Sequence, residues 1–366
     1  MKNNILFVVP SWSLGGTEKV NIAIANKLSE KYRVAIFTLS APQNEYLQPK
    51  CSVYGQNNLS FKIFTGFSGL LGLLHLDLFN RLWMAREAKK ITKCSQKLKS
   101  DVIIVSSGSI YLIPFLKKQN PTKKIIAWCH FSADTYLNGY LRYTTKFWIQ
   151  GLAAADSVVC LTPEDKIKFS EINRNTIVIN NPLTFNNDQI SSLDSKVISW
   201  TGRISNPQKG IDYLAEIAGK LPKDWKISIA GDGDIELLQE YLEKFDAKDK
   251  VILRGTIVGE ELKEHYLESS IYLMTSRFEG FGLVLVEAMS FGLPIVAFEQ
   301  TGSTYVLGSG KFGSLIENGN VDEMVEEINS LINSFEKRKL YQEKSLNRVE
   351  TFSINRVAKE WERQIF

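Results

Sequence analysis

The feature that most limits how this chain can fold is a repeated alternation of short apolar runs with stretches of helical spacing. "NILFVV" (4–9), "RVAIFTL" (33–39), "DVIIVSS" (101–107), "KKIIAWCH" (123–130), "SVVCLT" (157–162) and "NTIVINN" (175–181) read as strands. Runs this uniformly apolar suit parallel strands covered on both faces, and the alternation is that of an α/β protein. Behind the first run, Val20, Ala23, Ile24 and Leu28 recur at helical spacing. The stretch "NPLTFNNDQISSLDS" (181–195) is polar and has no hydrophobic period. The alternation then restarts with "KVISWTGR" (196–203), "WKISIAG" (225–231), "KVILRG" (250–255), "SIYLMTS" (270–276) and "LPIVAF" (293–298). Helical stretches at 210–221, 234–245 and 259–268 lie between these runs. Two doubly wound domains follow, over 1–184 and 185–351, and an amphipathic stretch at 352–366 closes the chain. The total of 366 residues suits two domains of ordinary size.

Several function classes have little support. Four cysteines (Cys51, Cys94, Cys129, Cys160) stand far apart without a CxxC pair, so zinc-site spacing is absent and a reducing compartment is expected. "MKNNILFVVPSWS" has an apolar run too short for a secretory signal. "IFTGFSGLLGLLHLDLF" (63–79) is too interrupted for a spanning helix, so the chain is not expected to be integral to a membrane. Of three histidines (His75, His130, His265), none stands in a spacing that marks a nucleophilic hydrolase. "SLGGTE" lacks the GxGxxG spacing of a dinucleotide fingerprint, which leaves a Rossmann dehydrogenase weak. "GDGD" (231–234) has the letters of a divalent-metal motif, but it falls between strand and helix, where a glycine turn is expected anyway.

The most informative segment is "RFEGFGLVLVEAMSFGLP" (277–294), with Glu279 among glycines and Glu287 inside an apolar run. "SIYLMTS" precedes it as a strand, "FEGFG" is a loop, and "LVLVEAMSF" is a helix halted by Gly292 and Pro294. Ligands of open α/β sheets bind at such strand ends. Gly280 and Gly282 permit close backbone approach, and the helix start at Leu283 offers free amides to a phosphate. Glu279 would meet a hydroxyl-bearing part of the same ligand, and Glu287 a vicinal diol such as ribose. Taken singly, Glu279 reads equally as a solvated loop charge and Glu287 as the exposed edge of its helix. The combined pattern points to a nucleotide sugar.

"EGFGLVLVEAMSFGLPIVA" resembles the E-x7-E segment of retaining glycosyltransferases of family 4, and the resemblance runs through nearly the whole chain. "SLGGTEK" (13–19) is similar to the family's amino-terminal GG-x-E loop and "VVCLTPEDK" (158–166) to a strand and turn late in its first domain. "VINNPL" (178–183) is similar to the domain junction, and "TGRISNPQKGIDYL" (201–214) to the GR…KG segment. "IAGDGD" (229–234) and "RGTIVGEEL" (254–262) resemble the next two strand ends. The resemblance implies the GT-B fold, two Rossmann-like domains facing across a cleft, with the last helix returning to the first domain. It implies that Arg203 and Lys209 hold the diphosphate and balance its charge as the sugar leaves. It gives Gly15 and Gly16 a place close to the phosphate or sugar, and His130 a role in sugar binding and transition-state placement. It implies a front-side reaction with retention, no metal, and donor contacts from Gly280, Phe281, Gly282 and Leu283. Glu18 reads as a helix-start residue favoured by the dipole.

Residues 1–180 hold 23 Lys and Arg against 11 Asp and Glu, whereas the rest of the chain is acidic on balance. Arg86, Lys90, Lys93 and Lys97 recur at helical spacing beside the leucine-rich stretch Leu70–Phe79, an arrangement suited to an anionic membrane surface or simply to a solvated face. With the resemblance, this leads to the expectation of a cytoplasmic enzyme, peripheral at the inner face of the cell membrane. It would transfer a hexose or N-acetylhexosamine from a UDP-sugar to a glycan or lipid-linked acceptor in bacterial surface-polysaccharide synthesis. A nucleotide-sugar epimerase of the same fold and a silent sugar-nucleotide-binding subunit stay open on the sequence.

Overall fold

The first apolar run forms strand β1 (Asn4–Val9), buried at every position after Asn4. The computed structural model describes residues 4–11, 15–40, 49–55, 77–137, 144–184 and 187–366. Helix α1 (Gly16–Ser29) follows and buries Val20, Ile24 and Leu28 of the residues at helical spacing, while Ala23 is half-buried and Ala25 takes its place in the core. The strands β2 (Arg33–Thr38), β3 (Ser52–Gly55), β4 (Val102–Ser106), β5 (Lys124–Trp128), β6 (Ser157–Cys160) and β7 (Thr176–Val178) complete a sheet of order β3-β2-β1-β4-β5-β6-β7. Its pairings are parallel, with Ile5 opposite both Val34 and Val102. Helix α2 (Asp77–Leu98) packs on this sheet through Met84, Ala88 and Ile91.

The second sheet contains β8 (Val197–Thr201), β9 (Lys226–Ala230), β10 (Val251–Gly255), β11 (Ile271–Met274), β12 (Ile295–Phe298) and β13 (Ser314–Ile316). Its order is β10-β9-β8-β11-β12-β13, again parallel throughout. In each sheet the first strand sits between neighbours reached in opposite directions: β1 between β2 and β4, β8 between β9 and β11. Loops leaving such a pair diverge and open a crevice at the carboxyl ends of the strands.

The chain divides into two compact units, residues 1–184 with 354–366, and residues 185–353. The closing helix (Ile354–Ile365) belongs to the first unit. Its Trp361 is fully buried edge-on to Trp128 at 4.6 Å, and Glu362 pairs with Lys31 at 2.8 Å. Short strands β3 and β13 extend the sheets beyond the runs legible in the sequence. Among the described residues no helix is long and apolar enough to cross a membrane; residues 63–76 of the leucine-rich stretch lie outside the described residues.

Candidate active site

In the second unit, the loop after β8 carries two cations. Its far end is fixed by Thr275, whose hydroxyl donates to the Lys209 carbonyl (2.8 Å) and accepts from Trp200 Nε1 (3.1 Å). Gly210 adopts φ 60°, and a Cβ there would lie 2.3 Å from the Thr275 carbonyl oxygen, so only glycine permits this closure. Lys209 lies across Gly202, where a Cβ would come within 3.2 Å of Lys209 Cε. Its Nζ reaches Glu279 Oε1 at 2.6 Å, with both side chains 13% exposed. Arg203 is exposed, and among the described residues no hydrogen bond or ion pair holds its guanidinium.

Glu279 stands on the loop after β11, and that loop is pinned by Arg277. The Arg277 guanidinium meets Asp212 through both nitrogens (2.9 and 2.6 Å), donates to Asn206 Oδ1 (2.9 Å), and lies 4.0 Å over the Tyr213 ring. Its backbone N–H donates to the Gln208 carbonyl at 2.9 Å. The cation-bearing loop and the Glu279 loop are thereby sewn together. Farther along, the Glu279 N–H donates to Gln300 Oε1 (3.2 Å), which also accepts from Gly302 (2.8 Å). Phe281 is buried under Gly302, where a Cβ would come within 2.8 Å of the Phe281 carbonyl carbon. Gly282, at φ 78° and ψ 54°, caps helix α3 (Leu283–Ser290).

Glu287 lies on the inward side of α3, 2% exposed, not on an exposed edge. Its Oε2 accepts from the Tyr266 hydroxyl at 3.3 Å, and the Tyr266 ring stacks on Phe291 at 5.1 Å. Burial, followed by the nearby Glu287 carboxylate, pushes the Tyr266 and Tyr272 phenols well above their ordinary range. Both tyrosines therefore remain hydrogen-bond donors. The "GDGD" stretch is a helix start: the Asp234 side chain caps it by accepting from the Leu237 N–H (3.1 Å), and Asp232 accepts from the Gly233 N–H (2.8 Å). Among the described residues no three His, Cys, Asp or Glu side chains gather as a metal site.

In the first unit, Gly15 is the N-cap of α1 and Gly16 its first residue. A Cβ on Gly15 would lie 2.5 Å from Glu18 Oε2, and Glu18 Oε1 accepts from the Ser11 hydroxyl at 2.6 Å. Glu18 thus closes the described part of the loop, whose residues 12–14 lie outside the described residues. His130, just beyond β5, is 5% exposed. Its Nε2 lies 2.8 Å from Ser106 Oγ and 3.2 Å from Asn21 Nδ2, and the Trp128 ring is 4.4 Å away. Burial pushes the imidazole down to about 3, so it is neutral at ordinary pH.

The structure thus joins Lys209 to Glu279, places Arg203 on the same loop, and runs Gly280, Phe281, Gly282, Leu283 and Glu287 on continuously. His130 joins instead to α1, one turn after Gly16. Arg277, Asp212, Gln300, Asn21 and Ser106 take part as well; Arg277 and Asp212 stand inside the segments 277–294 and 201–214 without a role read from them, and no motif signals the other three. On α2 the exposed cations are Arg81, Arg86, Lys89, Lys93 and Lys97; Lys90 turns back to Glu87 at 2.7 Å and leaves the expected basic face.

The model of the family described as "Glycosyl transferases group 1" matches residues 195–334. An uncharacterized glycosyltransferase of Haemophilus influenzae is 31% identical over 373 residues, covering 99% of this chain and 99% of its own. The amylovoran biosynthesis glycosyltransferase of Erwinia amylovora is 24% identical over 364 residues and covers 95% of each chain. Among solved structures, Anabaena HepE in complex with UDP aligns with a TM-score of 0.79 at 18% identity, over 100% of this chain and 99% of that one.

Proposed function

This chain belongs to the group 1 glycosyltransferases, and on that premise we propose a retaining, family-4-type transfer from a UDP-sugar. It is an enzyme with the GT-B fold. The sugar moved is a hexose or N-acetylhexosamine, and the acceptor a glycan, lipid-linked, in bacterial capsule, exopolysaccharide or O-antigen synthesis. The observation that carries this reading is the Lys209–Glu279 pair, with the unpaired Arg203 beside it, at the crevice end of β8 and β11. A cation ready for a diphosphate and a carboxylate ready for sugar hydroxyls stand in direct contact. The UDP held by Anabaena HepE and the polysaccharide named for the Erwinia relative support the choice of donor and pathway.

In this reaction the bond from the anomeric carbon to the diphosphate breaks, and its electron pair leaves with the phosphate oxygen. The acceptor hydroxyl bonds on the same face and passes its proton to a phosphate oxygen. Arg203 and Lys209 stabilise the charge arriving on that diphosphate, with no divalent ion required. Amides from Gly280 to Leu283 and the Gly15–Gly16 turn help bind the phosphates. Glu279 holds the sugar hydroxyls, Glu287 the ribose diol, and His130 the sugar. The basic face of α2 suits an anionic membrane surface and supports the reading of an enzyme peripheral at the inner face of the cell membrane.

The test is transfer and hydrolysis assays on a panel of UDP-sugars in EDTA. Turnover should persist, and R203A and K209A should each lose roughly a hundredfold in kcat. Near wild-type rates in both variants would remove these cations from the mechanism, and conversion of the UDP-sugar to its epimer without an acceptor would favour the epimerase.

A further inference from the structure

Asn21 has only one workable orientation. Its amide nitrogen lies 2.8 Å from the Thr17 carbonyl oxygen, a pure acceptor, so the side-chain nitrogen must face that way. Among the described residues its Oδ1 has no partner, yet a flip would set two oxygens against each other at that distance. The same nitrogen lies 3.0 Å from Ser106 Oγ and 3.2 Å from His130 Nε2. With one amide hydrogen spent on Thr17, the other goes to Ser106. The Ser106 hydroxyl hydrogen then points to His130 Nε2, 2.8 Å away. A proton on Nε2 would oppose the Asn21 N–H and leave the serine hydrogen without an acceptor.

The hydrogen bonds therefore run one way, from Asn21 through Ser106 to His130, and Nε2 accepts. Since burial keeps the ring neutral, its one proton sits on Nδ1. That nitrogen is buried and, among the described residues, has no hydrogen-bond partner. A buried N–H left unpaired is costly, and native structures rarely leave one so. Ser106 ends β4 and Asn21 rides on the helix following β1, so the chain of bonds lies at the crevice of the first sheet.

We propose that Asn21 and Ser106 are positioning residues that hold His130 as its Nδ1–H tautomer and so aim one N–H donor at an oxygen of the bound nucleotide sugar. The second half rests on the reaction proposed above; the first does not. His130 then acts as a neutral hydrogen-bond donor and never as a general base.

Nitrogen-15 NMR of the histidine side chains in the free full-length protein tests the tautomer without any ligand, and H130Q identifies which of the three signal sets belongs to His130. The expected result is a pyrrole-type nitrogen at Nδ1; one at Nε2 overturns the proposal. In the double variant N21A/S106A the proton should redistribute toward Nε2 while the circular dichroism holds, and transfer should slow about tenfold, the worth of one neutral hydrogen bond. Loss of packing alone would lower stability without moving the proton. Finally, UDP-glucose, UDP-galactose or UDP-N-acetylglucosamine, whichever binds, should shift the Nδ1–H resonance. A bound nucleotide sugar that leaves it unmoved overturns the assignment to substrate, whatever the tautomer.

Discussion

Lys209 and Glu279 neutralise one another in the free protein, at 2.6 Å and largely out of water, so a diphosphate arriving at Lys209 must compete with a carboxylate already in place. Glu279→Gln keeps the shape and removes that competitor. UDP alone should then bind more tightly, about tenfold for a half-buried charge pair, while sugar transfer slows because the hydroxyls lose a charged acceptor. Titration calorimetry with UDP, beside the transfer assay, reads both. Unchanged UDP affinity would mean that Lys209 does not serve the diphosphate. The sequence could supply Glu279, Glu287 and the glycines because the motif is contiguous and its spacing has a mechanical meaning. It could not supply Asn21 or Ser106, whose pairing spans 85 residues of chain and whose own neighbourhoods carry no pattern. The i,i+3 spacing of Glu87 and Lys90 was legible, but not that Glu87 is buried and draws Lys90 off the basic face.

Between the elements, the site of the second unit depends on how the loops after β8 and β11 are joined. Arg277 does this through a planar fork that matches the Asp212 carboxylate at two points, geometry that lysine does not reproduce. Arg277→Lys should therefore weaken nucleotide-sugar binding about tenfold and destabilise residues 185–353 by about 1–3 kcal/mol. Asp212→Asn should weaken binding similarly, and the double variant should cost less than the two losses added, because both act through one contact. If R277K binds the nucleotide sugar like wild type, the fork is not what positions Lys209. At this scale the parallel strands were legible because sheets covered on both faces demand unbroken apolar runs. Strands β3 and β13 were not: "SVYG" is an exposed-to-half-buried edge and "SLI" is three residues long, so neither presents a run. The helix Phe335–Val349 escaped notice for a related reason, since it buries polar Arg338, Gln342 and Ser345 where an apolar stripe would have marked it.

For the whole molecule, charge and acid response are both unevenly shared. Exposed Leu82, Arg86, Lys89 and Lys93 follow one another along one side of α2, so co-sedimentation with vesicles should require anionic lipid, weaken with salt, and fall when Arg86, Lys89 and Lys93 become glutamate. Binding indifferent to all three would exclude this face. The acid response turns on one buried histidine in each unit. Burial pushes His130 from 6.5 down to about 3, and burial with the Arg254 charge pushes His265 from 6.5 down to about 4. A histidine depressed in this way contributes its stability in full above 6.5 and loses it as pH falls toward the folded value, because the unfolded chain takes up the proton first. In the first unit burial also pushes Asp165 from 3.8 up to about 6. That carboxyl has the opposite sign: its contribution is complete below 3.8 and is lost as pH rises through about 6. Between about pH 6 and pH 4 the two slopes in the first unit oppose each other, and its stability stays nearly level. The second unit, through His265, loses roughly 3 kcal/mol across that window. Scanning calorimetry near neutrality and at about pH 5 should show the transition of residues 185–353 falling ahead of the other, and H265Q should flatten that fall. Equal shifts of both transitions, or a first unit that weakens earlier, would mean that these buried groups do not govern the acid response.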